Sequence, residues 1–186
     1  MFDKGILLQN KRTEKIKELE KQQDIKLSKL QKILLTSSSP ITNILDALYG
    51  EVMLFILDQN LKSADKQCCE LLDVDEGDEI FHRNLIVHKH GRPLISAMSL
   101  IPTSRCSDEV VEDLLKKDIP TGAIIYRHNI ETMLRVTRIS IEKPTPLLKE
   151  LFKTDEDMLI REYVLIHHGK LVTWTKEGFP ISYYQE

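Results

Sequence analysis

Two stretches limit the fold more than any others, IFHRNLIVHKHGRPLISAMSLIP over residues 80–102 and MLIREYVLIHHGKLVTWTKEGFP over 158–180. In each, two apolar runs rich in β-branched residues meet across a short glycine-containing turn, at Gly91-Arg92-Pro93 and at His168-Gly169-Lys170. Runs of this length and spacing close as β-hairpins. Short helical patterns separate and flank them. Ser39 suits an N-cap and Pro40 a first helical position, so a helix is expected over Ile41–Tyr49, with Gly50 ending it. The stretch SDEVVEDLLKK, Ser107 to Lys117, has a capping serine, early acids and late lysines. Pro144 and Pro146 introduce another short helix through Phe152. Residues 123–143 read as helix into strand or as strand throughout. EVMLFIL, residues 51–57, is apolar at consecutive positions and is expected to be a strand buried on both sides. The polar stretch after it, residues 61–79, reads as turns.

Hairpins with short helices between them predict an α+β fold, a single antiparallel sheet with flanking helices. No internal repeat of solenoid length stands out. Residues from Asn10 to Leu35 carry a helical apolar stripe (Ile16, Leu19, Leu27, Leu30, Leu34), interrupted by Gln22, Gln23 and Asp24. The chain therefore divides into an N-terminal helical arm, 1–35, and a domain, 36–186. The arm offers a homodimer contact.

The 186 residues carry a formal net charge of −3, which supplies no broad basic field for nucleic acid. No segment approaches the roughly 20 apolar residues that span a bilayer, and the N-terminus lacks a signal-peptide core. Cys68, Cys69 and Cys106 are odd in number and two are adjacent, which is no disulfide framework. Reduced thiols in a cytoplasmic protein are the expectation. No Gly-rich phosphate loop follows a strand. His88 with His90, and His167 with His168, have no partner at metal-ligand spacing, so no metal site is expected. Ser39, Ser104 and Cys106 lack the context of a covalent nucleophile.

Arg83 is the most informative single residue. Strand parity places it with Phe81, Leu85 and Val87 on the apolar face, where a guanidinium is costly unless an anion meets it. A structural pair with a carboxylate would answer the same need. Glu177 stands near the end of the last strand beside Gly178, where a missing Cβ permits close approach of a ligand or a sharp bend. It shares parity with Thr173, Thr175 and Phe179, a mixed face.

Four stretches in this order, SPIT (Ser39 to Thr42), HRNLIVHKHGRPLISAMSLIP (His82 to Pro102), IPTG (Ile119 to Gly122) and REYVLIHHGKLVTWTKEGFP (Arg161 to Pro180), resemble the chorismate lyase family, including its archaeal and actinobacterial branch. The resemblance runs from about Leu34 to Tyr184. It implies cofactor-free conversion of chorismate to 4-hydroxybenzoate and pyruvate in an internal pocket under helix-turn flaps. It also implies that Arg83 holds the ring carboxylate, that Glu177 faces the ring hydroxyl, and that backbone groups at Ile41 and Thr121 complete the cradle. The well-known bacterial members have a second arginine where this chain has Met98. A cation for the enolpyruvyl carboxylate would then come from Arg127, Arg135, Arg138 or Arg161. The same pattern resembles the UTRA effector-binding domain of GntR-type regulators, which implies a non-catalytic small-molecule binder as the alternative.

Overall fold

The structure, a computed structural model, describes residues 3–116 and 119–185. Lys117, the expected last residue of the helix from Ser107, and Asp118 lie outside the described residues. Six strands form one sheet: β1 (Met53–Ser63), β2 (Glu79–Lys89), β3 (Arg92–Pro102), β4 (Met133–Glu142), β5 (Met158–His167) and β6 (Lys170–Pro180). Their order is β1-β2-β3-β6-β5-β4 and every neighbouring pair is antiparallel. Both expected hairpins are present, each with a turn of two residues. His90 and Gly91 have φ of 48° and 81°, and His168 and Gly169 have φ of 47° and 80°. Positive φ at both central positions is the turn geometry that matches the twist of paired strands. Arg92, Pro93 and Lys170 therefore belong to the returning strands rather than to the turns.

Helices cover both faces of the sheet. On one face lie two helix-turn-helix flaps, α2 (Lys29–Thr36) with α3 (Ile41–Tyr49), and α5 (Asp108–Leu115) with α6 (Thr121–Arg127). Leu34, Leu35, Ile41 and Leu45 of the first flap pack on Leu85, Val87 and Ile95. Val110, Leu114 and Ile124 of the second pack on Phe81 and Ile101. On the opposite face α4 (Lys66–Leu72) and α7 (Pro146–Phe152) cover Leu100, Val164 and Trp174, and Ile86 and Ile160. The first helix, α1 (Asp3–Gln23), buries Ile16 and Leu19 in the cluster of the first flap. Its Arg12 donates to Leu134 O and its Lys15 to Val136 O, at 3.2 and 3.4 Å, along edge strand β4.

The sheet order is unchanged when β1, β2 and β3 are exchanged for β4, β5 and β6, and the agreement extends to single residues. Residues 81–102 and 159–180 align without a gap, with Arg83 on Arg161, His90 on His168, Gly91 on Gly169 and Pro102 on Pro180. The ladder between β2 and β3 shifts register between Val87 and His88, and that between β5 and β6 at the equivalent Leu165 and Ile166. The shifts at Ile56/Asp58 and Val136/Arg138 also correspond. Helices α4 and α7 are capped alike, by Asp65 and Thr145 at the start and by left-handed Asp73 and Lys153 at the end. The chain is thus two copies of one unit, flap–strand–helix–hairpin, joined edge to edge through β3 and β6. The sequence reading missed this relation because most of the other side chains have diverged between the two halves.

Other expectations change as well. Pro40 rather than Ser39 is the N-cap of α3, so the proline sits just outside the helix. The single helix over 10–35 is two, since Asp24 turns to φ 51° and Ser28 caps α2 with a box in which Gln31 N donates to its hydroxyl at 3.0 Å. EVMLFIL is not buried on both sides. It opens edge strand β1, where Met53 and Phe55 are 44% and 55% exposed, because among the described residues no strand lies beyond it. The polar stretch after it holds the rest of β1 and helix α4, which begins where Asp65 accepts the Cys68 N–H at 2.8 Å. The tract 123–143 resolves as helix into strand, α6 then β4.

Candidate functional site

The two flaps meet at their turns. Pro40 precedes α3 and Pro120 precedes α6, and neither helix has a side-chain N-cap bond. A Cβ on Gly122 would lie 3.4 Å from the Pro40 ring, so the flaps touch where a glycine permits it. Beneath this contact lie two adjoining cavities of about 130 and 70 Å³, which share Pro40, Ser99, Thr121, Gly122, Tyr163 and Thr175 as walls. Ile41 and Glu177 line the smaller one. Uncapped N–H groups at a helix start favour negative charge, so the first turns of α3 and α6 lend the roof a positive character. The floor carries a run of hydroxyls, Ser99 Oγ to Thr175 Oγ1 and Thr175 Oγ1 to Thr173 Oγ1, each at 3.1 Å.

Of the four residues singled out from sequence, the structure brings Ile41, Thr121 and Glu177 to this space. Arg83 is on the same face but its guanidinium is committed elsewhere. It is 1% exposed. Its Nε donates to Gln59 Oε1 at 2.9 Å, Nη1 to Ile119 O at 2.7 Å, and Nη2 to Leu114 O and Lys116 O at 2.6 and 3.1 Å. Three of those acceptors are carbonyls at the turn between α5 and α6, so Arg83 ties the second flap to the first unit's sheet. Among the described residues no carboxylate pairs with it. Burial pulls its pKa down to about 10, which still leaves a positive charge at neutral pH. Its register partner across β3 is Ser99, a wall of both cavities. A buried cation without a matching anion stands beside the cavity.

Arg161 is the counterpart of Arg83 and reaches across in the opposite sense. Its Nη1 donates to Leu34 O at 2.8 Å and Ser37 O at 3.3 Å, at the turn between α2 and α3. Its Nε meets Glu177 Oε2 at 2.5 Å, with both side chains buried. Burial is the largest single influence and works against the charge of Arg161, but the Glu177 carboxylate and Tyr163 together hold the pKa above the usual value. Tyr163 donates its hydroxyl to Glu177 Oε1 at 3.1 Å. Burial first, and then the Glu177 charge, push the Tyr163 pKa well above the ordinary phenol range, so it stays a donor. Arg161 Nη2 is buried with no hydrogen-bond partner. Sequence reasoning had Arg161 only as one of four interchangeable cations. Its alignment with Arg83 was the signal that would have set it apart.

Met98 packs in the cluster under α4, on the face away from the cavities. Of the other cations considered, Arg127 binds Asp113 at 2.9 Å and Arg138 binds Glu162 at 3.2 Å, while Arg135 lines a groove between α1 and β4. Gly178 serves neither a ligand nor a bend. A Cβ there would meet Ile160 Cδ1 at 2.5 Å, so the glycine makes room for a core side chain on the opposite face. Among the described residues no cluster of three or more His, Cys, Asp or Glu could hold a metal ion, and no helix is long and apolar enough to cross a membrane.

Comparison with known proteins agrees with this architecture. Residues 34–185 match the family model described as Chorismate pyruvate-lyase Rv2949c-like. A protein of Methanocaldococcus jannaschii named "Putative lyase MJ0807" is 30% identical over 158 residues, covering 81% of this chain and 78% of its own. Among solved structures, the effector domain of PhnF from Mycobacterium smegmatis superimposes with a TM-score of 0.65 at 16% identity, over 78% of this chain and 90% of that one. A GntR-family transcriptional regulator from Bacillus cereus gives 0.60 at 17% identity, over 73% and 94%. At these identities the two structures show a shared fold.

Proposed function

The chain belongs to the Rv2949c-like chorismate pyruvate-lyase family, and we propose that it is a chorismate lyase that releases 4-hydroxybenzoate and pyruvate in the cavity beneath its two flaps. The observation that carries this reading is the polarity of the site. A buried, unmatched cation, Arg83, flanks one side, and a buried carboxylate, Glu177, lines the other. A ring with a carboxylate at one end and a hydroxyl at the other suits that arrangement.

In the reaction the ring–ether C–O bond breaks toward the enolpyruvyl oxygen. The hydrogen on the neighbouring hydroxyl-bearing carbon leaves as a proton, and the released enolpyruvate takes up a proton to become pyruvate. Aromatisation supplies the driving force, so the protein needs to fix one conformer, exclude water and stabilise the departing negative charge. Arg83 would exchange flap carbonyls for the ring carboxylate, a charge-assisted contact worth about 1.5–3 kcal/mol. Glu177, held by Arg161 and Tyr163, would accept from the ring hydroxyl. The first N–H groups at Ile41 and Thr121 would face the ligand from the roof. The free Nη2 of Arg161 is the best-placed donor for the second carboxylate, since position 98 faces away.

One observation favours a binder over a catalyst. Both oxygens of Glu177 are already engaged, one by Arg161 and one by Tyr163. The two readings separate in one assay, incubation with chorismate followed by chromatography for 4-hydroxybenzoate and pyruvate. Turnover by the wild type, lost in Arg83→Ala and Glu177→Ala variants that remain folded, is the expected result. Tight binding of 4-hydroxybenzoate without turnover would make the protein an effector-binding module instead.

A further inference from the structure

The two units differ in what fills the space between each flap and its hairpin. In the first unit that space holds the phenol ring of Tyr184. The ring stacks edge-on against Phe179 at 5.1 Å between centroids, and its hydroxyl donates to Leu94 O at 3.1 Å. It belongs to the cluster that contains Leu34, Ile41 and Leu45. Gln31, 2% exposed, pins the tail that delivers this ring through Ile181 O and Tyr183 O, both at 2.8 Å. In the second unit the equivalent residues are Ile101 for Phe179, Val172 for Leu94, and Leu114, Thr121 and Ile125 for the three flap residues. All five line a chamber of about 250 Å³. The residue that follows β3 at the spacing of Tyr184 after β6 is Cys106, and it also lines the chamber.

We propose that this chamber is a second ligand site, adjoining the cavity under the flap turns across Thr121, Ile125 and Thr173, and that it takes a small neutral phenol-type ring. Tyr184 shows the shape that the equivalent space accommodates. The acceptor it uses, the carbonyl of Leu94, belongs to the extra residue of the β2–β3 bulge, and Val172 is the extra residue of the β5–β6 bulge. The walls are mostly apolar, among them Ile101, Val110, Leu114, Ile124, Ile130 and Val172, which suits an uncharged ring, and the charged or titratable side chains at the margin have partners. Arg105 donates to Leu72 O, Leu171 O and Asp73 O. His128 meets Asp113 at 3.0 Å and His167 meets Glu131 O at 2.7 Å. This site does not rest on the lyase reading, because neither Arg83 nor Glu177 lines it, although Thr121 is a wall of both spaces.

The test uses p-cresol as the probe, with the full chain. Cys106 is the reporter, since its alkylation by iodoacetamide can be mapped by mass spectrometry apart from Cys68 and Cys69. Saturating p-cresol is expected to slow Cys106 alkylation by roughly tenfold, because only unoccupied molecules react. Two filling substitutions, Cys106→Tyr and Val110→Phe, should each abolish p-cresol binding measured by calorimetry, while 4-hydroxybenzoate affinity stays within about twofold of wild type. Thermal unfolding checks that at least one of the two is folded. Unprotected Cys106, p-cresol binding that survives a folded filling variant, or p-cresol binding that is lost in Arg83→Met would each overturn the assignment.

Discussion

The two units of this chain share a backbone plan and differ in the charge around one pair of arginines. Arg83 and Arg161 occupy equivalent places, and each reaches across to hold the turn of the other unit's flap, through Leu114 O in one case and the equivalent Leu34 O in the other. Across the strand, Arg161 faces Glu177 and Arg83 faces Ser99. Beside them, Tyr163 stands where the first unit has Leu85. One arginine is thereby neutralised and the other is left as a buried net charge. A symmetric scaffold becomes a polar site through substitutions at two positions that leave the ladders intact. An anion improves the electrostatics most on the Arg83 side, while beside Glu177 only the unpartnered Nη2 of Arg161 is left to meet one.

The comparison can be broken most forcefully at the ion pair. Arg161→Met leaves Glu177 buried and unpaired, and should cost about 3–5 kcal/mol of unfolding free energy in urea titrations. Adding Glu177→Gln should restore much of that loss, as the coupling in a double-mutant cycle. Equal losses in the single and double variants would mean that flap bracing, not charge, is what Arg161 contributes. Arg83→Met orphans carbonyls but no charge, so its stability loss should be the smaller of the two. Its main effect should be on 4-hydroxybenzoate, weakened by about 1.5–3 kcal/mol in calorimetry, roughly 10- to 150-fold in Kd. Arg83→Lys should not rescue, since a single ammonium cannot span the same acceptors.

A subtler change would make the units alike. Ser99→Glu gives Arg83 the partner that Arg161 has, and should weaken carboxylate binding about tenfold in a variant that thermal unfolding shows to be folded. Retention of full anion affinity in that variant would remove the charge asymmetry as the basis of selectivity.

The smallest expected effect concerns the flaps. Asp113 ties α5 to α6 by way of Arg127 and His128, and also bonds Lys116. Those bonds, Lys116 and His128 first, hold its carboxyl well below the usual carboxylate range. A depressed folded-state pKa contributes stability above the unfolded value and loses it as pH falls. Acidification below about pH 4 should therefore loosen the α5–α6 flap before the α2–α3 flap. Hydrogen exchange resolved by segment would show this, and Asp113→Asn should remove the difference in its pH dependence.

Much of the framework was readable from sequence for local reasons. The hairpins announced themselves by apolar runs around His-Gly turns, and α7 by its Pro146 start, because turn and cap geometry depend on residues close in the chain. The α+β class followed from those elements. Strand parity put Arg83 on the apolar face, and there it lies. What local patterns missed was set at a distance. The apolar run of 51–57 carries no mark of being at an edge, and α4 is hidden in a polar stretch because only one stripe, with Cys68 and Leu72, is buried. The arm proved to be two helices because Ser28 and Gln31 form a capping box around a break that periodicity alone left ambiguous.

The site divides along the same line. Residue chemistry and strand parity determined which arginine would be costly to bury, and the alignment of short motifs named Ile41, Thr121 and Glu177 as its neighbours. Only the tertiary structure decided that Arg161 and not Met98 stands on the cavity face, that each arginine holds the opposite flap, and that Glu177 is already paired. The physical reason is that local sequence sets backbone geometry and side-chain direction over a few residues. Which charges meet is settled by strand order and by the packing of one unit against the other, across separations such as the 127 residues between Leu34 and Arg161.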